Sequence, residues 1–137
     1  MVAFEGTDPR TATLKDATTV SGAGYLLTND STTNKLDLTA ATEVAIGISA
    51  GESSRDADLV FETAGATVSF FPLGGVHLVA SDAVTWTVGQ LAYVNANGRC
   101  TNVSGSNKKL GVYVGTGETV ATAGDKVAIN TATHVNA

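Results

Sequence analysis

The chain has little of what covalent or metal chemistry needs. Among 137 residues there are one cysteine, Cys100, and two histidines, His77 and His134. A lone cysteine excludes an intrachain disulfide framework, and its place in an expected strand reads as a buried, inert thiol. Neither histidine stands at metal-ligand spacing from Cys100 or from the other, so no metal and no cofactor is expected. Charge is also scarce. Asp, Glu, Lys and Arg make up 15% of the residues, against roughly 25% in an average soluble domain. The polar surface must therefore come from Thr, Ser, Asn and Gly. The net charge is −5, and Lys108-Lys109 is the one adjacent basic pair. An electrostatic footprint for nucleic acid is absent. The longest apolar stretch, residues 68–80, is broken by Pro72 and Gly74-Gly75 and carries His77, so no membrane-spanning helix is expected. Residues 1–6 carry neither the basic stretch nor the apolar core of a secretory signal.

Helix-period apolar spacing is missing too, and what stands in its place is strand rhythm. Gly24-Tyr25-Leu26-Leu27-Thr28, Lys35-Leu36-Asp37-Leu38-Thr39 and Glu43-Val44-Ala45-Ile46-Gly47-Ile48-Ser49 read as strands, as do Leu59-Val60-Phe61-Glu62, Thr67-Val68-Ser69-Phe70-Phe71 and Val76-His77-Leu78-Val79-Ala80. Residues 84–130 form the densest such unit. There the run ending in Tyr93-Val94 is followed by Asn97-Gly98, residue types that accept positive φ in a tight hairpin turn. Turn signals every 8–12 residues or so point to a sandwich or barrel. The expectation is an all-β chain: a small β-barrel or β-tulip-like antiparallel fold over residues 14–137, with residues 1–13 as an extended N-terminal arm.

Two similar halves, 14–72 and 76–130, are a further expectation. Asp16-Ala17-Thr18-Thr19 recurs as Asp82-Ala83-Val84-Thr85, and Asn29 with Asn95 and Glu52 with Glu118 repeat at the same spacing. Ile46-Gly47-Ile48 resembles Leu110-Gly111-Val112, and Ala64-Gly65 before Val68 resembles Ala123-Gly124 before Val127. A chain rich in Ala, Thr, Val and Gly also generates such matches by coincidence, so both readings stand.

Candidate contact residues come from the arm and the aromatics. Val2 and Phe4 are the substantial apolar side chains of the arm, and Asp8-Pro9 marks a kink or turn. The arm is either a frayed terminus or a strand laid on the edge of a neighbouring chain. Phe70 and Phe71 point to opposite strand faces, which suggests burial on both sides, one of them by another subunit. Trp86 alternates with threonines in Val84-Thr85-Trp86-Thr87-Val88 and is either an inward residue or a subunit anchor. Phe70, Phe71 and Trp86 are thus the candidate oligomer interface.

Catalytic constellations are not found. Ser81-Asp82 lies close to His77, but neighbours on one strand or turn face different ways and do not assemble a triad. Gly22-Ala23-Gly24 and Gly115-Thr116-Gly117 are isolated fragments with no helix behind them to seat a phosphate. Glu52, Asp56 and Asp58 lack the spacing of a calcium loop. The expectation is a protein that is not an enzyme.

The run Gly89-x-x-Ala92-Tyr93-Val94, Gly98-x-x-Thr101, Leu110-Gly111-Val112 and Ala123-Gly124-Asp125-x-Val127 resembles the small capsid decoration, or cement, proteins of tailed bacteriophages. Phe70-Phe71-Pro72-Leu73-Gly74-Gly75-Val76 is similar to that family's central strand and glycine. Gln90 departs from the pattern, which has an acidic residue there. The resemblance implies a virion protein on the outer surface of the capsid. It implies homotrimers that bind the major capsid protein and cement neighbouring subunits, with no catalytic residues, nucleic acid or membrane involved. Val2, Phe4 and Pro9 would then be the capsid-binding residues. The alternative is a carbohydrate-binding or adhesion β-module of a virion fibre, which would need exposed aromatics on a flat face.

Overall fold

The computed structural model describes residues 10–13, 23–30, 32–33, 35–50 and 67–133. Val2, Phe4 and Pro9, the acidic loop with Glu52, Asp56 and Asp58, the Leu59-Val60-Phe61-Glu62 run and His134 lie outside the described residues. Twelve strands are present among those described: β1 (Arg10–Thr13), β2 (Leu26–Asp30), β3 (Lys35–Leu38), β4 (Gly47–Ser49), β5 (Thr67–Pro72), β6 (Val76–Ala80), β7 (Thr85–Trp86), β8 (Leu91–Val94), β9 (Cys100–Thr101), β10 (Lys109–Tyr113), β11 (Glu118–Thr119) and β12 (Lys126–Asn130). The all-β expectation holds, and every pairing between these named strands is antiparallel.

The strands form two five-stranded sheets and a two-stranded ribbon. The first sheet runs β1-β5-β4-β2-β3, the second β6-β12-β10-β8-β9, and β7 pairs β11 in the ribbon. No closed barrel is detected among the described residues, although the outer strands of the second sheet approach each other just past β6, where Ser81 makes a parallel bridge with Cys100 of β9 and Asp82 N–H donates to Cys100 O at 2.9 Å. Numbered by their order within each sheet, both five-stranded sheets follow the same sequence of neighbours: first, fifth, fourth, second, third. The change of sheet falls between Pro72 and Val76.

Two strands were not legible as strands. Arg10–Thr13, expected within the N-terminal arm, is instead the edge of the first sheet, with Arg10 opposite Phe70 and Thr13 opposite Thr67. Glu118–Thr119, a polar pair between Val114 and Gly124, pairs with Trp86 and Thr85. The Asn97-Gly98 turn forms as expected. Asn97 (φ 59) and Gly98 (φ 68) both take positive φ, the conformation that favours an Asn-Gly pair where a hairpin must follow strand twist. It joins β8 to β9, with Tyr93 opposite Thr101 and Val94 opposite Cys100.

One buried cluster joins the two sheets. Leu26, Ala45 and Ile48 of the first share it with Val79, Leu110, Tyr113 and Ile129 of the second and with Trp86 and Val120 beside the ribbon. Trp86 is 1% exposed; its ring stacks on Tyr113 at 5.2 Å and 21°, and its Nε1 donates to Ser81 Oγ at 2.9 Å. Its surface is spent inside its own chain, so the subunit-anchor reading of Trp86 gives way to the core reading. The reason is local: β7 belongs to the short ribbon, whose apolar side chain has the buried cluster to fill. Hydrogen bonds also cross between the sheets. Ala80 N–H donates to Gly24 O (2.8 Å) and Gly98 N–H to Thr39 O (3.2 Å), while Thr39 Oγ1 donates to Asn95 O at 2.9 Å.

Candidate interaction surface

The second sheet presents two apolar faces, and among the described residues only one of them is covered. Side chains alternate across a strand. Val79 on β6, Val127 and Ile129 on β12, Tyr113 on β10 and Ala92 and Val94 on β8 point into the core and are buried. The intervening residues face the other way: Val76 and Leu78, then Ala128, Val112 and Val114, then Leu91. The register sets them side by side, with Leu78 opposite Ala128, Val112 opposite Asn130 and Leu91 opposite Val112. Val114 N–H donates to Ala128 O at 3.0 Å, which continues the row just past β10. Leu78 is 62% exposed, Val76 58%, Val114 46% and Leu91 41%. Scattered apolar side chains on a surface need no explanation, but a contiguous row across four neighbouring strands is the pattern of a contact surface.

This face was missed at the level of sequence. A signal for it exists in Val76-His77-Leu78-Val79, where apolar residues occupy both strand registers and so line both faces. Of the residues singled out beforehand, Phe70 and Phe71 lie on β5 in the first sheet, on opposite faces, and each is half-buried. The Phe70 ring lies against Gly47, and the Phe71 ring is 5.8 Å from that of His77. Neither belongs to the open face of the second sheet. Trp86 and Tyr113 are core residues, so they offer no flat aromatic platform for a sugar; Tyr93, on the open face, is half-buried.

The side chains with chemistry are engaged structurally. Cys100 is free and buried. Burial, and then the nearby Asp82 charge, push its thiol well above its ordinary value, so it is held neutral and unreactive. His77, Ser81 and Asp82 are engaged elsewhere. His77 Nε2 meets Gly74 O at 2.8 Å, Ser81 Oγ donates to Asp82 O and accepts from Trp86, and Asp82 holds Asn95 and Arg99. Gln90 Oε1 accepts from Thr87 N–H at 2.9 Å and so closes the turn before β8. Burial, and next its hydrogen bond to Glu118 Oε2 at 2.8 Å, hold the Tyr113 phenol above its ordinary value. Among the described residues no group of three or more His, Cys, Asp or Glu is placed to hold a metal ion. No helix among them is long and apolar enough to cross a membrane.

No family model, no curated protein and no solved structure matches this chain.

Proposed function

We propose that this chain is a structural virion protein that binds the outer surface of a phage capsid as an oligomer, a trimer by the resemblance, and cements neighbouring major capsid subunits. The observation that carries the self-association is the open apolar face of the second sheet, from Val76 and Leu78 on β6 to Leu91 on β8. The capsid part rests on the residues that resemble cement proteins. In this fold they sit on β8 (Ala92-Tyr93-Val94), on β10 (Leu110-Gly111-Val112) and at the turn into β12 (Gly124-Asp125). A face made of backbone-paired strands is rigid before it meets a partner, so little ordering entropy opposes docking. Apolar area removed from water stabilises the contact by about 25 cal/mol per Å². Many modest contacts repeated over a lattice give strong total attachment through avidity.

The test mixes the purified full-length protein with expanded, undecorated phage heads and looks for added regular density on the outer shell. Added density together with raised resistance of the heads to heat is the expected result. No association with any head, alongside binding to a glycan array, would replace this reading with the adhesion-module alternative.

A further inference from the structure

The two five-stranded sheets match in more than strand order. β2 corresponds to β8, β4 to β10 and β5 to β12, and the registers carry over residue by residue. Leu26 opposite Ile48 and Leu27 opposite Gly47 in the first sheet become Leu91 opposite Val112 and Ala92 opposite Gly111 in the second. Ile48 opposite Phe71 becomes Val112 opposite Asn130. The hydrogen bonds repeat as well. Gly24 N–H donates to Ser49 O and Ser49 N–H to Tyr25 O; at the matching places, Gly89 N–H donates to Tyr113 O and Tyr113 N–H to Gln90 O. Ala50 N–H to Ser69 O likewise repeats as Val114 N–H to Ala128 O, each at 3.0 Å. Gly24 (φ +94) and Gly89 (φ +79) share the left-handed backbone that favours glycine. A Cβ on Gly47 would press on Phe71 O, and one on Gly111 on Asn130 O, the same position of the same neighbouring strand. Shared order, register, turn glycines and close approach together mark one β-unit used twice.

The two copies of the unit differ in what covers one face. Leu26 and Ile48 are 0% and 2% exposed and lie in the cluster shared with the second sheet. Their counterparts Leu91 and Val112, the same cross-strand apolar pair, lie on the open face, beside Leu78 and Val114. In the first unit this face is covered because another such unit follows it in the chain. In the second unit the same face has no such cover among the described residues.

We propose that the open face, Val76, Leu78, Leu91, Val112 and Val114, seats a second copy of this chain, so that a neighbouring chain supplies for the second unit the kind of cover the second unit supplies for the first. The occupant follows from the duplication: a face of this unit that is already satisfied in the molecule is satisfied by another unit of the same kind. A contact of one unit's face on a different surface of the next is heterologous and closes into a ring when the rotation permits. This assigns the self-association named in the proposed function to a specific face and rests on that reading only for the oligomer.

The test needs no capsid. Light scattering over a range of concentrations should find the wild-type chain as a discrete oligomer. Leu78→Glu and Leu91→Glu, made separately in the full chain, should each weaken association at least tenfold, leaving the circular dichroism spectrum of the dilute protein unchanged. Val44→Glu, an exposed apolar site just before β4 in the first unit, should stay oligomeric. A wild-type chain that is monomeric throughout, or an oligomer that survives both glutamates, overturns the assignment. Monomers that still decorate heads would sink this proposal and leave the capsid reading standing; oligomers that ignore heads would do the reverse.

Discussion

The first sheet is sealed where the second is open. At Leu26 and Ile48 the first sheet hides a cross-strand apolar pair in the shared cluster, and Leu27 on the opposite face of β2 is buried too. The second sheet buries Ala92, Tyr113 and Ile129 on one face and leaves Leu91, Leu78 and Val114 in solvent on the other. The same backbone arrangement thus serves two roles. In one unit Leu26 and Leu27 bury both faces of β2 within the chain, and in the other a closed face backs an open one. Burial here is a property of the neighbourhood a unit finds itself in, and the difference identifies where a partner fits.

The sharpest way to break the match is at its glycines. Gly111→Ala would drive a Cβ into Asn130 O, with Asn130 C at 3.0 Å and Thr131 Cα at 3.2 Å, all backbone. Backbone cannot rotate aside, so a loss above about 3 kcal/mol is expected, the upper end for overpacking. Gly47→Ala meets the Phe70 ring and Phe71 O, and a ring yields partly, so about 1–3 kcal/mol is expected. Urea midpoints of the two variants decide it: if Gly111→Ala is as stable as wild type, the close approach at β10 and β12 is wrong.

Next in size is the pair of matched leucines. Leu26→Ala should cost about 2–5 kcal/mol, as for a filled core site, whereas Leu91→Ala in dilute, monomeric protein should cost no more than about 0.5 kcal/mol. Equal losses would mean that the face at Leu91 is covered within the chain.

The smallest effect is a pH dependence lodged in the second unit. Cys100 and Tyr113 both ionise with more difficulty in the folded chain than in the unfolded one. A raised folded value favours the neutral form, so the stability each contributes is whole below its unfolded value and lost as pH rises towards the folded one. The unfolded values are about 8.5 for a thiol and about 10 for a phenol. Unfolding midpoints should therefore be insensitive to these groups below about pH 8 and fall above it. Cys100→Ala should flatten the first part of the fall and Tyr113→Phe the later part. An unchanged slope in both variants would show that these two groups do not govern it.

Much of this was readable from the residues. Short apolar runs bounded by glycine, asparagine and other turn residues announced β2, β3, β6, β8, β10 and β12, with period-two alternation clean in Lys35-Leu36-Asp37-Leu38. Ile46-Gly47-Ile48 and Leu110-Gly111-Val112 do occupy corresponding strands, as their likeness suggested. Asn29 and Asn95, however, are one residue out of step, since matching Leu26 to Leu91 and Leu27 to Ala92 puts Asn29 at the place of Val94. Arg10–Thr13 and Glu118–Thr119 escaped because their residues are mostly polar, and the partner strand, not their own pattern, makes them extended. Trp86 among threonines showed that one face was apolar without showing which way it pointed. The open face was hidden for the same reason: alternation divides a strand into two faces, and only the fold decides which of them receives a cover.

The strand order carries a consequence for how the chain comes off the ribosome. In each sheet the first strand pairs only with the last, β1 with β5 and β6 with β12. β1 gains its partner strand only when β5 arrives and β6 only when β12 arrives, although β6 already meets the first unit through Ala80 N–H to Gly24 O and the residue after it meets β9 at Ser81 and Cys100. The first sheet has every strand it needs once Pro72 has emerged, whereas β12 is the link between β6 and β10 and arrives last. Until then, the nascent second unit is an unfinished sheet that lacks the strand between β6 and β10, beside a first unit that already has all its described strands. Synthesis therefore offers a folded template before the unit that must pack against it, an order that suits domain-by-domain folding from the N-terminal side. It also leaves the slow, long-range pairing of β6 with β12 to the end.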